Sequence, residues 1–258
     1  MHPTTGTDEP VRRVVAAIPA RYGSTRLPGK PLHLLAGRPM IEHVYERTAA
    51  APGLARVVVL TDDERVGRVV DAFGGEWQMT PETCTSGTDR IAWAAQDWDV
   101  SAVLNVQGDE PLIDPEAVGH LAAHMLAHPE DPIGTLAAPA EEGDLADPNA
   151  VMVVLDRRGY ALYFSRAGIP FPRQAGGPVP LKHLGIYGYQ KEALLRFAAL
   201  EPTPLERGES LEQLRALENG MPIRVLAARR ASLSVDTLAD AERVERAMDV
   251  AASGKGPN

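Results

Sequence analysis

The sequence predicts an α/β fold, a doubly wound and mostly parallel sheet with a small attached lobe. Short β-branched apolar runs alternate with stretches of helical periodicity between residues 14 and 127. Each run is four or five residues long and apolar almost throughout, the pattern of parallel strands covered on both faces. The chain has 258 residues, 44% hydrophobic and 24% charged. That suits one large α/β domain and excludes a disordered tail or a fibrous repeat.

The first strand is residues 14–18, VVAAI. A helix over 39–51 follows, with Pro39 in its first turn and Pro52-Gly53 as its stop. Residues 57–60, VVVL, form the second buried strand, and helix 63–73 ends at Gly74-Gly75. Helix 87–96 has Ser86 or Thr88 as its cap, and 102–106, AVLNV, is the third strand. Helix 115–127 closes this half. From residue 133 the pattern changes: 133–138, 151–155 and 183–189 are strand-like, with a DRRG turn at 156–159. Residues 170–180 carry four prolines and two glycines and are expected to form an exposed loop. Helices over 208–218 and 237–250 flank a strand at 223–227. The expected organisation is one domain over 13–252, with an insert or dimerisation lobe at about 140–205. Residues 1–12 and 253–258 read as flexible termini.

The formal charge of −9 argues against a protein that coats nucleic acid. No apolar run approaches the roughly 20 residues needed to span a bilayer, so no membrane partner is expected. The start, MHPTTGTDEP, has no signal-like core. Cys84 is the only cysteine. An internal disulfide is therefore impossible, and a reducing, cytoplasmic setting is expected.

Lysine is scarce: Lys30, Lys182, Lys191 and Lys255 are the complete set. Lys30 nevertheless falls within ten residues of Arg21 and Arg26. Ligands of parallel α/β sheets bind beyond the carboxyl ends of the strands, and residues 19–30 follow the first strand directly. Pro19, Ala20, Arg21, Gly23, Ser24, Arg26 and Lys30 are the candidate anion-binding residues. Gly23 and Gly29 allow close backbone approach. The arginines supply forked donors and Lys30 a point charge. The set suits a triphosphate better than a monoanion; the competing reading is a surface loop with solvated charges. A Walker loop is excluded, because five residues separate Gly23 from Gly29 and Pro31 follows Lys30. The dinucleotide fingerprint is absent as well.

IPARYGSTRLPGKPL followed by GRPMIEHVYER resembles the opening signature of the sugar nucleotidyltransferases. The resemblance is strongest to the 3-deoxy-manno-octulosonate cytidylyltransferases. It continues through SGTDR, NVQGDEPLI, DPNAVMVVLD, GYALYFSRAGIP, HLGIYGY, LEQLRALENG and VDT, in order over nearly the whole chain. The resemblance implies a Rossmann-like three-layer nucleotidyltransferase fold and a CTP-dependent reaction. It releases pyrophosphate and forms a CMP-activated acid. Arg21, Arg26, Lys30 and Asp109 would be catalytic. Ser86, Arg90 and Gln107 would join the nucleotide loop, while Asp109 and Asp236 would jointly bind Mg²⁺. A carboxylate at a strand's carboxyl end, facing a phosphate loop, is well placed for that ion. Arg166, His183, Tyr187, Glu212 and Gln213 would line a sugar-acid pocket. His183, Tyr187 and Tyr189 alternate on one strand and so share a face. Glu110, before a proline, fits a turn equally well. The resemblance further implies a homodimer through residues 150–200, with the apolar run 151–155 packing across a two-fold axis.

The segment 171–181 departs from that pattern, being short and nearly uncharged. It leaves two acceptors open: a 3-deoxy-2-ulosonic acid, or a small phosphonate acid such as phosphonoformate. Both present a carboxylate to Arg166. Uridylyl or guanylyl transfer is an enzyme-level rival, and a non-catalytic nucleotide sensor is the alternative of another class.

Overall fold

The structure is a computed structural model that describes residues 13–23, 27–174 and 176–252. The first half alternates as the sequence predicts. β1 (Val14–Pro19) leads through a small hairpin, β2 (Leu34–Leu35) and β3 (Arg38–Pro39), into α1 (Met40–Ala49). Then come β4 (Arg56–Thr61), α2 (Glu64–Ala72), β5 (Trp77–Met79), α3 (Gly87–Ala95), β6 (Ala102–Asn105), α4 (Pro115–Ala127) and β7 (Ile133–Pro139). The second half holds β8 (Met152–Leu155), β9 (Ala161–Ser165), β10 (Leu181–Gln190), α5 (Lys191–Ala198), α6 (Pro204–Glu209) and α7 (Gln213–Glu218). β11 (Ile223–Ala227) and α8 (Leu238–Ala252) complete it.

The described residues form a nine-stranded mixed sheet in the order β11-β7-β10-β6-β1-β4-β5, with β8 on β10 and β9 on β8. β10 runs antiparallel to both β6 and β7. Every other strand of the main path points the same way. The reversal of β10 has a consequence for function. Its first residues, not its last, lie at the carboxyl edge of the sheet, where His183 pairs with Ala137.

Apolar alternation within β1 builds the layers. Val14, Ala16 and Ile18 pack with Ile41, Val66, Leu121 and Met125 under α1, α2 and α4. Val15 and Ala17 face the other layer, with Ile91, Leu194, Phe197 and Leu214 from α3, α5 and α7. Phe164 ties β9 to that second layer. Its side chain is fully buried, a contribution of roughly 1.5–3 kcal/mol. A third cluster, Leu27, Leu35, Met40, Val235, Ala241 and Val244, docks α8 onto the hairpin.

Several boundaries differ from expectation for identifiable reasons. Pro39 is the N-cap of α1 rather than a helical residue, because Arg38–Pro39 pairs with β2. The helix expected over 208–218 is two helices. Thr203 and Glu206 form a capping box that starts α6 early, and Ser210, at φ +53°, ends it. α5 was not anticipated: it follows β10 without a turn residue, and its N-cap Gln190 makes no side-chain cap bond. β9 and the three-residue β5 also escape periodicity; within β9 only Phe164 and Ser165 are buried. The 170–180 stretch is irregular and largely exposed among its described residues. The apolar run 151–155 is spent inside the chain, where Met152 and Val153 are buried against β9 and β10.

Candidate active site

The carboxyl ends of β1 and β6 meet at the centre of the sheet edge. Gly108 follows β6 where a Cβ would lie 2.9 Å from Pro19 O. Only glycine permits that approach. It brings Asp109 against the segment that leaves β1. That segment turns back through Leu27, which is buried in the third cluster. It then enters the Lys30–Leu32 turn at Gly29, with φ +68°. A third segment, between β11 and α8, is tied in by Val235 N donating to Asp109 O at 2.9 Å.

These three segments place Lys30 between two carboxylates. Its Nζ donates to Asp109 Oδ2 at 2.5 Å and to Asp236 Oδ1 at 2.8 Å. Residues 30, 109 and 236 thus converge on one point despite separations of 79 and 206 positions. Pro19, Ala20, Arg21, Lys30, Ser86, Arg90, Gln107, Asp109 and Asp236 line one cleft of about 310 Å³. Ser24 and Arg26 lie outside the described residues. Neither Gly23 nor Gly29 lines the cleft; a Cβ on Gly29 would crowd Tyr22, and one on Gly23 would meet nothing within 4 Å.

Ser86 is the N-cap of α3. Its Oγ accepts from Asp89 N at 3.0 Å, and Asp89 Oδ2 accepts from Ser86 N at 3.0 Å. This capping box leaves the residue on the cleft wall. Arg90 lines the cleft wall as expected, and its side chain, 3% exposed, is also bonded to Asp62 at 2.7 Å and to the Thr80 hydroxyl. Arg90→Ala would strand Asp62 and is expected to cost about 3–5 kcal/mol in denaturant unfolding. An unchanged stability with a raised KM for CTP would return Arg90 to phosphate binding. Cys84 also lines the cleft. Burial pushes its thiol up, so it stays protonated and a poor nucleophile.

A second pocket, of about 620 Å³, adjoins the first, and Gln107 and Asp236 line both. Arg166, His183, Tyr187 and Gln213 line it as expected. Glu212 does not. Its Oε2 accepts from Thr88 Oγ1 at 2.5 Å, linking α7 to the start of α3. Burial raises the Glu212 carboxyl, opposed by the Thr88 hydroxyl, the Arg215 charge and Ser86. Sequence reasoning missed Lys182, Arg243 and Glu110, which also line this pocket. Glu110 does serve the turn, with Ile113 N donating to its carbonyl at 3.0 Å. Its carboxyl is pushed up to about 8 by burial, with the neighbouring Asp109 charge adding and Ser232 opposing. No pattern in the sequence announces that direction of the side chain.

The aromatic face of β10 forms as the alternation requires: His183, Tyr187 and Tyr189 are consecutive ring contacts at 5.3 and 5.9 Å. Burial pushes His183 down to about 3, so the ring is neutral at physiological pH. The Thr135 hydroxyl donates to Ile186 O at 2.7 Å. His183 Nε2 must then donate to Thr135 Oγ1, at 3.0 Å, which assigns the Nε2–H tautomer and leaves Nδ1 as an acceptor. Tyr187 Oη is buried with no hydrogen-bond partner among the described residues. Arg166 directs Nε, Nη1 and Nη2 at the carbonyls of Glu209, Pro148 and Ser210. These three bonds go to neutral carbonyls and leave two of its five N–H groups unused, while the Glu209 carboxylate accepts from the Arg166 backbone N at 2.9 Å and feels its charge.

The donor set fits a divalent cation. Asp109 and Asp236 already converge on one positive charge. Mg²⁺ typically takes one or two carboxylates and completes its shell with water and substrate phosphate. Among the described residues no group of three or more potential metal ligands occurs.

Comparison with known proteins gives a consistent set. A family model described as Cytidylyltransferase matches residues 15–223. A 3-deoxy-manno-octulosonate cytidylyltransferase of Syntrophotalea carbinolica is 52% identical over 242 residues, covering 90% of this chain and 97% of that protein. The protein of the same name from Myxococcus xanthus is 48% identical over 238 residues, covering 92% and 96%. The solved structure of CMP:2-keto-3-deoxy-manno-octonic acid synthetase complexed with CTP is 44% identical, with a TM-score of 0.88. That match covers 92% of this chain and 98% of the other.

Proposed function

The chain belongs to the cytidylyltransferase family, and from that premise we propose that it transfers the cytidylyl group of CTP to a 3-deoxy-2-ulosonic acid, releasing pyrophosphate. One observation carries the reading. A cleft bearing Arg21 and Lys30 opens, at Gln107 and Asp236, into a second pocket lined by Arg166, His183, Tyr187 and Gln213. A nucleoside triphosphate and an acid acceptor can thereby meet at one edge.

Arg21, Lys30 and the loop backbone bind the triphosphate, together with Arg26 and Ser24 by carry-over from the family pattern. Asp109 and Asp236 would hold Mg²⁺, which when bound neutralises phosphate charge and makes a coordinated hydroxyl more acidic. Gln107, at the junction, orients both substrates. In the acceptor pocket the neutral His183 offers Nδ1 to a sugar hydroxyl, and the unpaired Tyr187 Oη and the Gln213 amide supply further hydrogen bonds. Arg166 is the cation for the carboxylate, since its guanidinium hydrogen bonds go to backbone carbonyls and two of its N–H groups are unused. Catalysis is mainly positioning and charge neutralisation.

The relatives' names and the CTP-bound structure favour cytidylyl transfer to a Kdo-like acid over a phosphonate acceptor, a uridylyl or guanylyl donor, or a sensor. A pyrophosphate-release screen of CTP with Kdo, other ulosonates and small phosphonates tests it. Release is expected with Kdo, and its absence with Kdo overturns the acceptor.

We further propose a homodimer. The attached lobe leaves Leu162, Phe171 and Val179 at 62, 82 and 65% exposure, apolar surface that a second copy would cover. A monomer by light scattering at micromolar concentration removes this proposal. The lone cysteine supports a cytoplasmic setting. No helix among the described residues is long and apolar enough to cross a membrane.

A further inference from the structure

Tyr22 follows Arg21, and Gly29 precedes Lys30. In the fold the Tyr22 ring takes up the space that a side chain at Gly29 would need. A Cβ on Gly29 would lie 3.2 Å from Tyr22 Oη and 3.3 Å from two ring carbons. The ring is held in turn by Arg65, whose guanidinium carbon lies 3.5 Å from the ring centroid. Arg65 is itself anchored. Its Nε and Nη2 donate to Asp63 Oδ1 and Oδ2 at 2.9 and 2.5 Å. Asp63 is the N-cap of α2 and accepts from Arg65 N at 2.8 Å. A packed series thus runs from the N-terminus of α2 through Arg65 and Tyr22 to Gly29. It ends one residue from the ammonium that sits between Asp109 and Asp236.

We propose that Tyr22 is a positioning residue for the nucleotide loop. It fixes Gly29, and with it Lys30, at a set distance from Arg21 at the end of β1. Arg65 clamps the ring in that position. The two cations are sequence neighbours of this pair, so its packing determines whether both reach one triphosphate. A loop neck closed in advance spares CTP the cost of ordering it. The glycine at 29 is required twice, for its left-handed backbone and for the room the phenol occupies. This inference rests on the CTP reading above.

CTP affinity is measured by equilibrium titration without acceptor, and KM for CTP and for Kdo by pyrophosphate release. Tyr22→Leu is expected to weaken CTP binding about tenfold, since small misplacements of charged groups are costly, with KM for Kdo unchanged. Tyr22→Phe keeps the ring and its contact with Arg65 and should stay within about twofold of wild type. Arg65→Gln, at an exposed position, should weaken CTP binding about two- to fivefold. Unchanged CTP affinity in a folded Tyr22→Leu protein, or an equal rise in both KM values, overturns the proposal. If Tyr22→Leu does not fold, Arg65→Gln decides, and unchanged CTP affinity there overturns it. Wild-type protein that binds CTP yet transfers to no acid would defeat the functional reading, and the titration would still decide the role of Tyr22.

Discussion

Lys30→Ala is expected to lower kcat/KM for CTP by roughly 10³-fold, the scale of removing one preorganised charge-stabilising donor. The Lys30 side chain is 14% exposed, its ammonium in contact with Asp109 and Asp236, and it lines the cleft. Its loss strips the cleft of the cation nearest the candidate metal carboxylates and leaves those two anions facing each other. The fold should survive, because the third cluster that anchors this segment uses Leu27, Leu35 and Met40 rather than the lysine. Steady-state pyrophosphate release with varied CTP, beside thermal unfolding, separates the two effects. A rise in KM at constant kcat would confine Lys30 to ground-state binding.

Asp109→Asn is expected to lower kcat by a similar factor, roughly 10²–10³, and to raise the Mg²⁺ concentration that gives half-maximal rate. Asparagine keeps the shape and the backbone bond from Val235, so the change removes the charge and with it the ion pair to Lys30. The magnesium titration discriminates between roles. If Asp109 served only to hold Lys30, the rate would fall while the magnesium requirement stayed put. A near-wild-type rate would sink the metal assignment altogether.

Much of this site could be read along the chain because its parts follow strands. Strand 14–18 was recognisable from its apolar run, and the cations after it stood where parallel sheets bind ligands. The same logic placed Asp109 beyond the third strand. Residues whose role depends on a partner elsewhere were not legible. Arg90 looks like any helix-borne cation until Asp62 is seen 2.7 Å away. Glu212 and Gln213 are adjacent in sequence, yet one bonds Thr88 across to α3 while the other lines the acceptor pocket. Lys182 and Arg243 carry no motif; they line the pocket because β10 and α8 arrive there.

Net charge is similarly uninformative about the site. A net charge of −9 seems unsuited to a triphosphate, and only the clustering of Arg21, Arg26 and Lys30 hinted otherwise. In the fold Lys30 sits between the two carboxylates that the family pattern assigns to a metal, one positive charge against two negative, an excess of negative charge that a bound divalent cation would offset.

The sequence alone determined the layered α/β architecture, the anion loop and the family, because apolar period, strand-end position and ordered motifs are local properties. Tertiary structure alone decided the reversed direction of β10, the meeting of residues 30, 109 and 236, and the split of Glu212 from Gln213. Those depend on which strand edges pair and where side chains point once two apolar layers have closed over the sheet, and no local pattern encodes that.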